Sequence, residues 1–120
     1  MIKKLNEQSL RATSDVIGAY AELSYDYNPL HIDAEFAATT PFGARIAHGA
    51  MALDLLLNAV DDTFGQDHQV RIDIRFTAPV KIGDRITAGG EVSEEAFAVW
   101  VRKDDGSDVL RGTMAIGDCR

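Results

Sequence analysis

An aspartate and a histidine stand five residues apart in the stretch SYDYNPLHID, which occupies residues 24–33. Pro29 fixes its own φ and disfavours helical geometry at Asn28, and asparagine side chains often bond nearby backbone in turns, so we expect a rigid loop. From such a loop the Asp26 carboxylate and the His31 imidazole can both hydrogen-bond one water. The pair suits general acid–base catalysis, because imidazole titrates near neutrality and partial burial can tune a carboxylate towards that range. A turn cap and a packed histidine are the alternative interpretation.

A glycine opens the longest apolar segment of the chain, in RIAHGAM at residues 45–51. Free N–H groups at a helix N-terminus, with the positive end of the macrodipole behind them, bind developing negative charge. Gly49 has no side chain, so an enolate oxygen can approach its N–H closely. The alternative is that Gly49 only permits close packing of the helix. For His48 we expect a capping or packing role, with a catalytic role as the alternative.

The elements that must position these groups follow from periodicity. Apolar residues at helical spacing predict a helix over residues 13–23, a second short helix over 34–39 and a third over 48–60. The predicted N-caps are Thr13 or Ser14 for the first helix and Asp33 for the second. The third helix is apolar almost all round, which predicts that it is buried.

The second half of the chain alternates between apolar and polar residues. The predicted strands lie in VRIDIRFTAPV, RITAGGEV, FAVWV and VLRGTMAI, and DDGSD predicts a hairpin turn between the last two. An N-terminal edge strand is expected to be reduced to IKKL, residues 2–5, or to be absent. The predicted fold class is therefore α+β, a single domain over residues 1–120 in which a curved antiparallel sheet surrounds one long helix, the arrangement called the hotdog fold.

Composition limits the classes of function. The chain has 120 residues and a formal net charge of −7, which argues against a nucleic-acid ligand. It has no apolar run of about 20 residues and no apolar leader after its charged start, so we expect a cytoplasmic protein without a membrane span. The one cysteine, Cys119, is interpreted as an incidental thiol. The three histidines lack H-E-x-x-H spacing, so we expect no metal. A single domain of this length leaves no room for a separate cofactor-binding module, and we expect no cofactor.

Four cations lie within fifteen positions: Arg71, Arg75, Lys81 and Arg85. The simpler interpretation is that they form the solvated face of strands. The alternative is that they contact a phosphorylated ligand, such as the nucleotide end of coenzyme A.

Two blocks of the sequence resemble those of the MaoC-like (R)-specific enoyl-CoA hydratases. Residues 21–57 are similar, in order and without a gap, to the pattern A-x-x-S-x-D-x-N-P-[LIV]-H-x-D, then F-A, then F-G-x-x-I-[AV]-H-G. Residues 76–86, FTAPVKIGDRI, are similar to a strand block of that family with a P-V-x-x-G-D core.

The resemblance implies both a reaction and roles for residues. Asp26 and His31 would form the catalytic dyad, Asn28 with Pro29 would order the loop, and the Gly49 N–H would be the oxyanion donor. The reaction would be hydration of a trans-2-enoyl thioester to the (R)-3-hydroxyacyl thioester, or the reverse dehydration, by a lyase. The acyl group would be carried by coenzyme A or acyl carrier protein, and the protein would be a homodimer or a higher oligomer.

Two positions depart from the family pattern. Tyr25 stands where many members have glycine. Asp54 lies in the middle of the apolar helix, with Asn58 one turn later, and a buried carboxylate must be paired, protonated or in a wet pocket. In the family this helix lines the acyl pocket, so Met51, Asp54 and Asn58 are the acyl-pocket candidates and a short or polar acyl group is favoured. The alternative is that Asp54 pairs with Arg45 or across a dimer interface.

Two other functions stay open. A hotdog acyl-thioester thioesterase would use an acidic residue to activate water against the thioester carbonyl, which would leave the histidine without a clear task. A non-catalytic subunit that binds an acyl carrier would not need Asp26, His31 and Gly49 together.

Overall fold

The computed structural model describes residues 2–65, 68–93 and 96–118. These residues form one five-stranded sheet, in the order β1-β3-β4-β5-β2, and four helices. In chain order the elements are β1 (Gln8–Arg11), α1 (Ser14–Ser24), α2 (Pro29–Ile32), α3 (Ala34–Ala38), α4 (Gly49–Phe64), β2 (His68–Phe76), β3 (Arg85–Val92), β4 (Phe97–Lys103) and β5 (Asp108–Asp118).

The sheet is antiparallel throughout, as the alternation of residue types predicts. β2 pairs with β5 so that Ile72 lies opposite Met114, and β4 and β5 form a hairpin in which Val101 lies opposite Leu110. Gly106 takes a positive φ of 88° in the predicted turn between them, a conformation that glycine adopts without a steric penalty. The α+β hotdog arrangement predicted from the sequence is confirmed.

The long helix α4 buries one face against the sheet. Its buried residues recur at helical spacing and meet apolar side chains of β3, β4 and β5: Met51, Ala52, Leu55, Leu56, Ala59 and Val60. Leu56 is fully buried, so Leu56→Ala would cost about 2–5 kcal/mol in the free energy of unfolding. The expectation of burial all round is wrong for the single chain, because Asp54 and Asn58 lie on an exposed stripe.

The first helix, α1, begins where the sequence predicts, but its most buried residues lie beside the predicted apolar stripe rather than on it. The Thr13 hydroxyl accepts a hydrogen bond from the Val16 N–H at 3.2 Å, so Thr13 and not Ser14 is the N-cap. Ile17 and Ala21 are its buried residues. The apolar spacing predicts a buried stripe of Val16, Ala19, Tyr20 and Leu23; Val16 and Tyr20 do pack against the core, whereas Leu23 is 78% exposed. On so short a helix two stripes had similar apolar content, and contact with the core decides between them.

The N-terminal edge of the sheet corrects an expectation. A full strand, β1, follows the IKKL segment and pairs with β3 from Gln8 opposite Ala88 to Arg11 opposite Arg85. Leu5 adds a backbone hydrogen bond to the Gly90 carbonyl at 3.0 Å. β1 has only four residues, and an alternation this short does not distinguish a strand from other structure in the sequence.

In the described ranges, every helix is too short or too polar to cross a membrane. Cys119 lies outside the described residues.

Candidate active site

The Asp26–His31 segment is held by hydrogen bonds that begin a short helix. The Asn28 side-chain oxygen accepts from the Leu30 N–H at 3.0 Å, and Pro29 occupies the first position of α2. Proline suits that position because its missing N–H would have no helical partner. The expected loop is therefore partly wrong: His31 stands on a one-turn helix, and the Asn-Pro pair marks its N-terminus.

The two proposed catalytic side chains face each other across a small gap. His31 Nε2 lies 3.7 Å from Asp26 Oδ2, too far for a direct hydrogen bond, and the His31 side chain is 12% exposed against 49% for Asp26. His31 Nδ1 lies 2.8 Å from the Ile46 carbonyl oxygen. A carbonyl only accepts, so Nδ1 carries the proton and Nε2 of the neutral ring presents its lone pair. A water between the two groups can donate one hydrogen bond to each.

The backbone around Ile46 connects the segment that carries His31 to the β2–β3 connection. The Ile46 N–H donates to the Leu30 carbonyl at 3.2 Å, and Ile46 forms a β-bridge with Lys81 in the β2–β3 connection. The Ala47 N–H donates to the Val80 carbonyl at 2.7 Å. These backbone contacts join the two sequence blocks that resemble the hydratases, and they lie next to His31.

His48 is buried, with 4% of its surface exposed, and packs beneath the pair. Its ring stacks on His31 with centroids 3.8 Å apart, and its Nε2 donates to the Asp26 carbonyl oxygen at 2.9 Å. Its Nδ1 is buried without a hydrogen-bond partner among the described residues. It makes no side-chain cap bond to α4, so of the two expected roles packing is the one observed. The spacing in the sequence gave no signal of its contact with Asp26.

Gly49 is the first residue of α4, and its N–H makes no hydrogen bond within the described part of the chain. A Cβ built on Gly49 would meet Phe76 Cε1 at 3.7 Å, an ordinary contact, so helix packing does not require glycine there. The space in front of it is a cavity of about 380 Å³ whose lining includes Ile46, Phe76 and Pro79. An acceptor that enters this cavity can reach a free helix N-terminus.

The acyl-pocket candidates Met51, Asp54 and Asn58 line a second cavity, of about 530 Å³, between α1 and α4. The Tyr20 hydroxyl donates to Asp54 Oδ2 at 2.7 Å. Burial, followed by the hydrogen bond and the negative charge of Asp54, raises the pKa of Tyr20 to about 12. Pairing of Asp54 with Arg45 does not occur, because Arg45 Nη2 instead donates to Ser14 Oγ at 2.9 Å.

The four cations do not gather at one place. Arg71 and Arg75 are exposed on β2, where Arg75 lies opposite Arg111 of β5. Lys81 is exposed in the β2–β3 connection, and Arg85 opens β3 opposite Arg11. Because β5 and β4 separate β2 from β3, these are two groups on different parts of the sheet.

Asp26, His31 and His48 also bring one potential metal-ligand atom each within 4.8 Å of one another. The two imidazole planes are only 24° apart and are stacked face to face. Nitrogen lone pairs lie in the ring planes, so one ion about 2.1 Å from both rings would be far out of at least one plane. The donor set does not fit a metal ion.

Comparisons with known proteins agree with this geometry. The family model described as "MaoC like domain" matches residues 3–107. The 3-hydroxybutyryl-CoA dehydratase of Methylorubrum extorquens is 41% identical over 85 residues, which are 69% of this chain and 54% of that protein. The (R)-specific enoyl-CoA hydratase of Rhodospirillum rubrum is 33% identical over 108 residues, 82% of this chain and 74% of that protein.

Among solved structures, an unliganded (R)-hydratase from Pseudomonas aeruginosa superimposes with a TM-score of 0.86 at 31% identity, covering 98% of this chain and 81% of that one. The chain spans about half the length of the first dehydratase, 54%.

Proposed function

The chain belongs to the MaoC-like domain family, and from this membership and the geometry above we propose that it hydrates a trans-2-enoyl thioester to the (R)-3-hydroxyacyl thioester, or catalyses the reverse dehydration. The observation that carries the proposal is the 3.7 Å gap between His31 Nε2 and Asp26 Oδ2. Two acceptors at that distance hold one water by both of its protons, which leaves the water oxygen lone pairs free for attack.

The pair works as a unit on that water. As the water oxygen attacks Cβ of the enoyl group, one of the two residues takes a proton, and a proton is delivered to Cα. The tautomer of His31 supports this role, because the Ile46 carbonyl keeps the proton on Nδ1 and leaves Nε2 able to accept. Fixing the water next to Cβ makes the addition effectively intramolecular.

The negative charge of the intermediate collects on the thioester oxygen. We place that oxygen at the Gly49 N–H, where the helix dipole of α4 favours an anion. A contact of this kind is worth about 3 kcal/mol in the transition state when it behaves like other oxyanion donors. The pantetheine arm would then run through the cavity beside Phe76 and Pro79.

The substrate carrier, the partner and the compartment are part of the proposal. The exposed cations of either group, Arg71 with Arg75 or Lys81 with Arg85, offer contacts for the phosphates of coenzyme A or an acyl carrier protein. β2 ends the sheet, and α4 leaves a partly apolar face exposed, so a homodimer would cover both. A cytoplasmic location and independence from metals and cofactors stay predictions.

The test follows the absorbance of the conjugated enoyl thioester in crotonyl-CoA, with a thiol reagent in a parallel reaction. The native protein should remove the absorbance without releasing thiol, and the product should be the (R) enantiomer. Asp26→Asn and His31→Ala should abolish the signal. Asp104→Asn, in the β4–β5 turn, is the matched control for loss of one carboxylate and should retain activity.

Two results would reject the hydratase proposal. Thiol release would identify a thioesterase. Binding of the thioester without either signal would identify a non-catalytic acyl-carrier-binding subunit.

A further inference from the structure

The cavity between α1 and α4 combines an apolar wall with a small polar group. Met51 and Leu55 are among its apolar residues, and Tyr20, Asp54 and Asn58 are its polar ones. Asp54 and Asn58 are four residues apart on α4, so they stand one above the other on the same stripe. An occupant of this cavity meets apolar surface on one side and hydrogen-bonding groups on the other.

The Asp54 carboxylate has unused acceptor capacity. Within the described part of the chain, its one hydrogen bond comes from Tyr20, to Oδ2, and Oδ1 has none. An ionised carboxylate has about four lone-pair positions, so several acceptor positions are open to water or to a ligand. An apolar chain that filled the cavity would displace water from these acceptor positions without offering them a hydrogen bond. A ligand with a donor would replace the lost hydrogen bond.

The cavity lies next to the proposed reaction site, and Tyr20 is the lining residue nearest to the histidine pair. The Tyr20 ring lies 5.0 Å from the His48 ring, and His48 stacks on His31. Along α4, Asp54 is five residues beyond Gly49, about 7.5 Å on the helix axis. Met51, two residues beyond Gly49, lines the same cavity as Asp54, so we place the distal part of the acyl chain in this cavity.

Resting on the proposed hydratase function, we propose that this cavity selects acyl chains whose distal end carries a hydrogen-bond donor, a hydroxyl or an amino group, which binds Asp54. This is a narrower class than a short or polar acyl group. It also excludes a class of polar substrates, since an acyl chain that ends in a carboxylate would place two negative charges together.

The test compares thioesters of one length. The probes are trans-2-hexenoyl-CoA, its ω-hydroxy derivative and its ω-carboxy derivative. The ω-hydroxy substrate should have a kcat/KM at least about tenfold above the plain chain, because a hydrogen bond to a charged group is among the stronger ones, and the ω-carboxy substrate should be the poorest. In Asp54→Leu the preference should reverse in favour of the plain chain.

A matched control separates this effect from the general charge of coenzyme A. Asp104→Asn and Asp54→Asn each remove one negative charge, and only Asp54→Asn should change the ratio of kcat/KM between the substrates. The decisive quantity is the kcat/KM of the ω-hydroxy substrate divided by that of the plain chain. A value near one in the native protein, or a value unchanged in Asp54→Leu, would overturn the inference while the hydratase function stood.

Binding of saturated analogues gives a readout that is independent of the chemistry. Hexanoyl-CoA and ω-hydroxyhexanoyl-CoA have no double bond to hydrate, and calorimetry measures their affinities directly. Tighter binding of the ω-hydroxy analogue, lost in Asp54→Leu, is expected even if no hydration is observed on any substrate. Equal affinities would overturn the inference.

Discussion

His48 donates a hydrogen bond from Nε2 to the backbone carbonyl oxygen of Asp26, over 2.9 Å, while the carboxylate of the same Asp26 faces His31. The His48 ring is stacked on His31 as well, so one buried side chain contacts both members of the pair. We therefore propose that His48 is a positioning residue, which keeps the carboxylate and the imidazole at the separation that the proposed shared water requires.

The first prediction tests that role with two variants of similar size. His48→Met removes the donor and should lower kcat by about tenfold with little change in KM, because the pair loses its alignment after the substrate has bound. His48→Gln keeps a donor at the position of Nε2 and should recover much of the loss. Steady-state kinetics on crotonyl-CoA decide the point, and equal kcat values for the two variants would argue against positioning through the hydrogen bond.

The second prediction concerns Tyr20 at high pH. The pKa of its hydroxyl rises from 10.0 in the unfolded chain to about 12 in the folded one, so the folded chain keeps a proton that the unfolded chain loses. The stability from this proton is present below about pH 10 and is lost as the pH rises through about 12. The free energy of unfolding, measured with urea, should therefore fall more steeply from about pH 10 to about pH 12 in the native protein than in Tyr20→Phe. Parallel curves for the two proteins would contradict the raised pKa of Tyr20 in the folded chain.

The third prediction concerns the helix N-terminus. Gly49→Ala should fold normally, because the added Cβ meets Phe76 at an ordinary distance, but the methyl group would stand in the cavity where the thioester oxygen approaches. We expect kcat/KM to fall by at least about tenfold, a part of the roughly 3 kcal/mol of an oxyanion contact. Thermal unfolding serves as the control, and an unchanged kcat/KM in a stable variant would move the oxyanion site elsewhere.

The fourth prediction concerns Tyr25, which ends α1 in the left-handed region with φ 58° and ψ 25°. Its side chain is 85% exposed, so its replacement loses little packing. Tyr25→Gly should be more stable than Tyr25→Ala by about 1 kcal/mol, because alanine keeps the steric cost of this conformation and glycine removes it. Chemical denaturation of the two variants measures the difference, and equal stabilities would mean that the turn relaxes without strain.

The sequence predicted the sheet and the main helices because alternation and helical spacing report directly on which residues face a core. It proposed Asp26, His31 and Gly49 as site residues because they lie in one ungapped stretch of motif. It could not predict that His48 and Tyr20 join the site, since Tyr20 meets Asp54 across 34 positions and His48 meets Asp26 across 22. Such contacts depend on how α1 packs against α4, which no local pattern encodes. Tyr25 was visible in the sequence as a departure from the motif pattern, and its φ of 58° is one that glycine adopts without a steric penalty.

The most direct measurement of the central claim is a double-mutant cycle on Asp26 and His31 with crotonyl-CoA. Asp26→Asn and His31→Gln should each lower kcat by about a hundredfold to ten-thousandfold, as loss of a general acid–base group does. If both residues hold the same water, the double variant should be hardly slower than the slower single variant, because either change already removes the unit. A double variant whose loss equals the product of the two single losses would contradict a shared water, and with it the proposed mechanism.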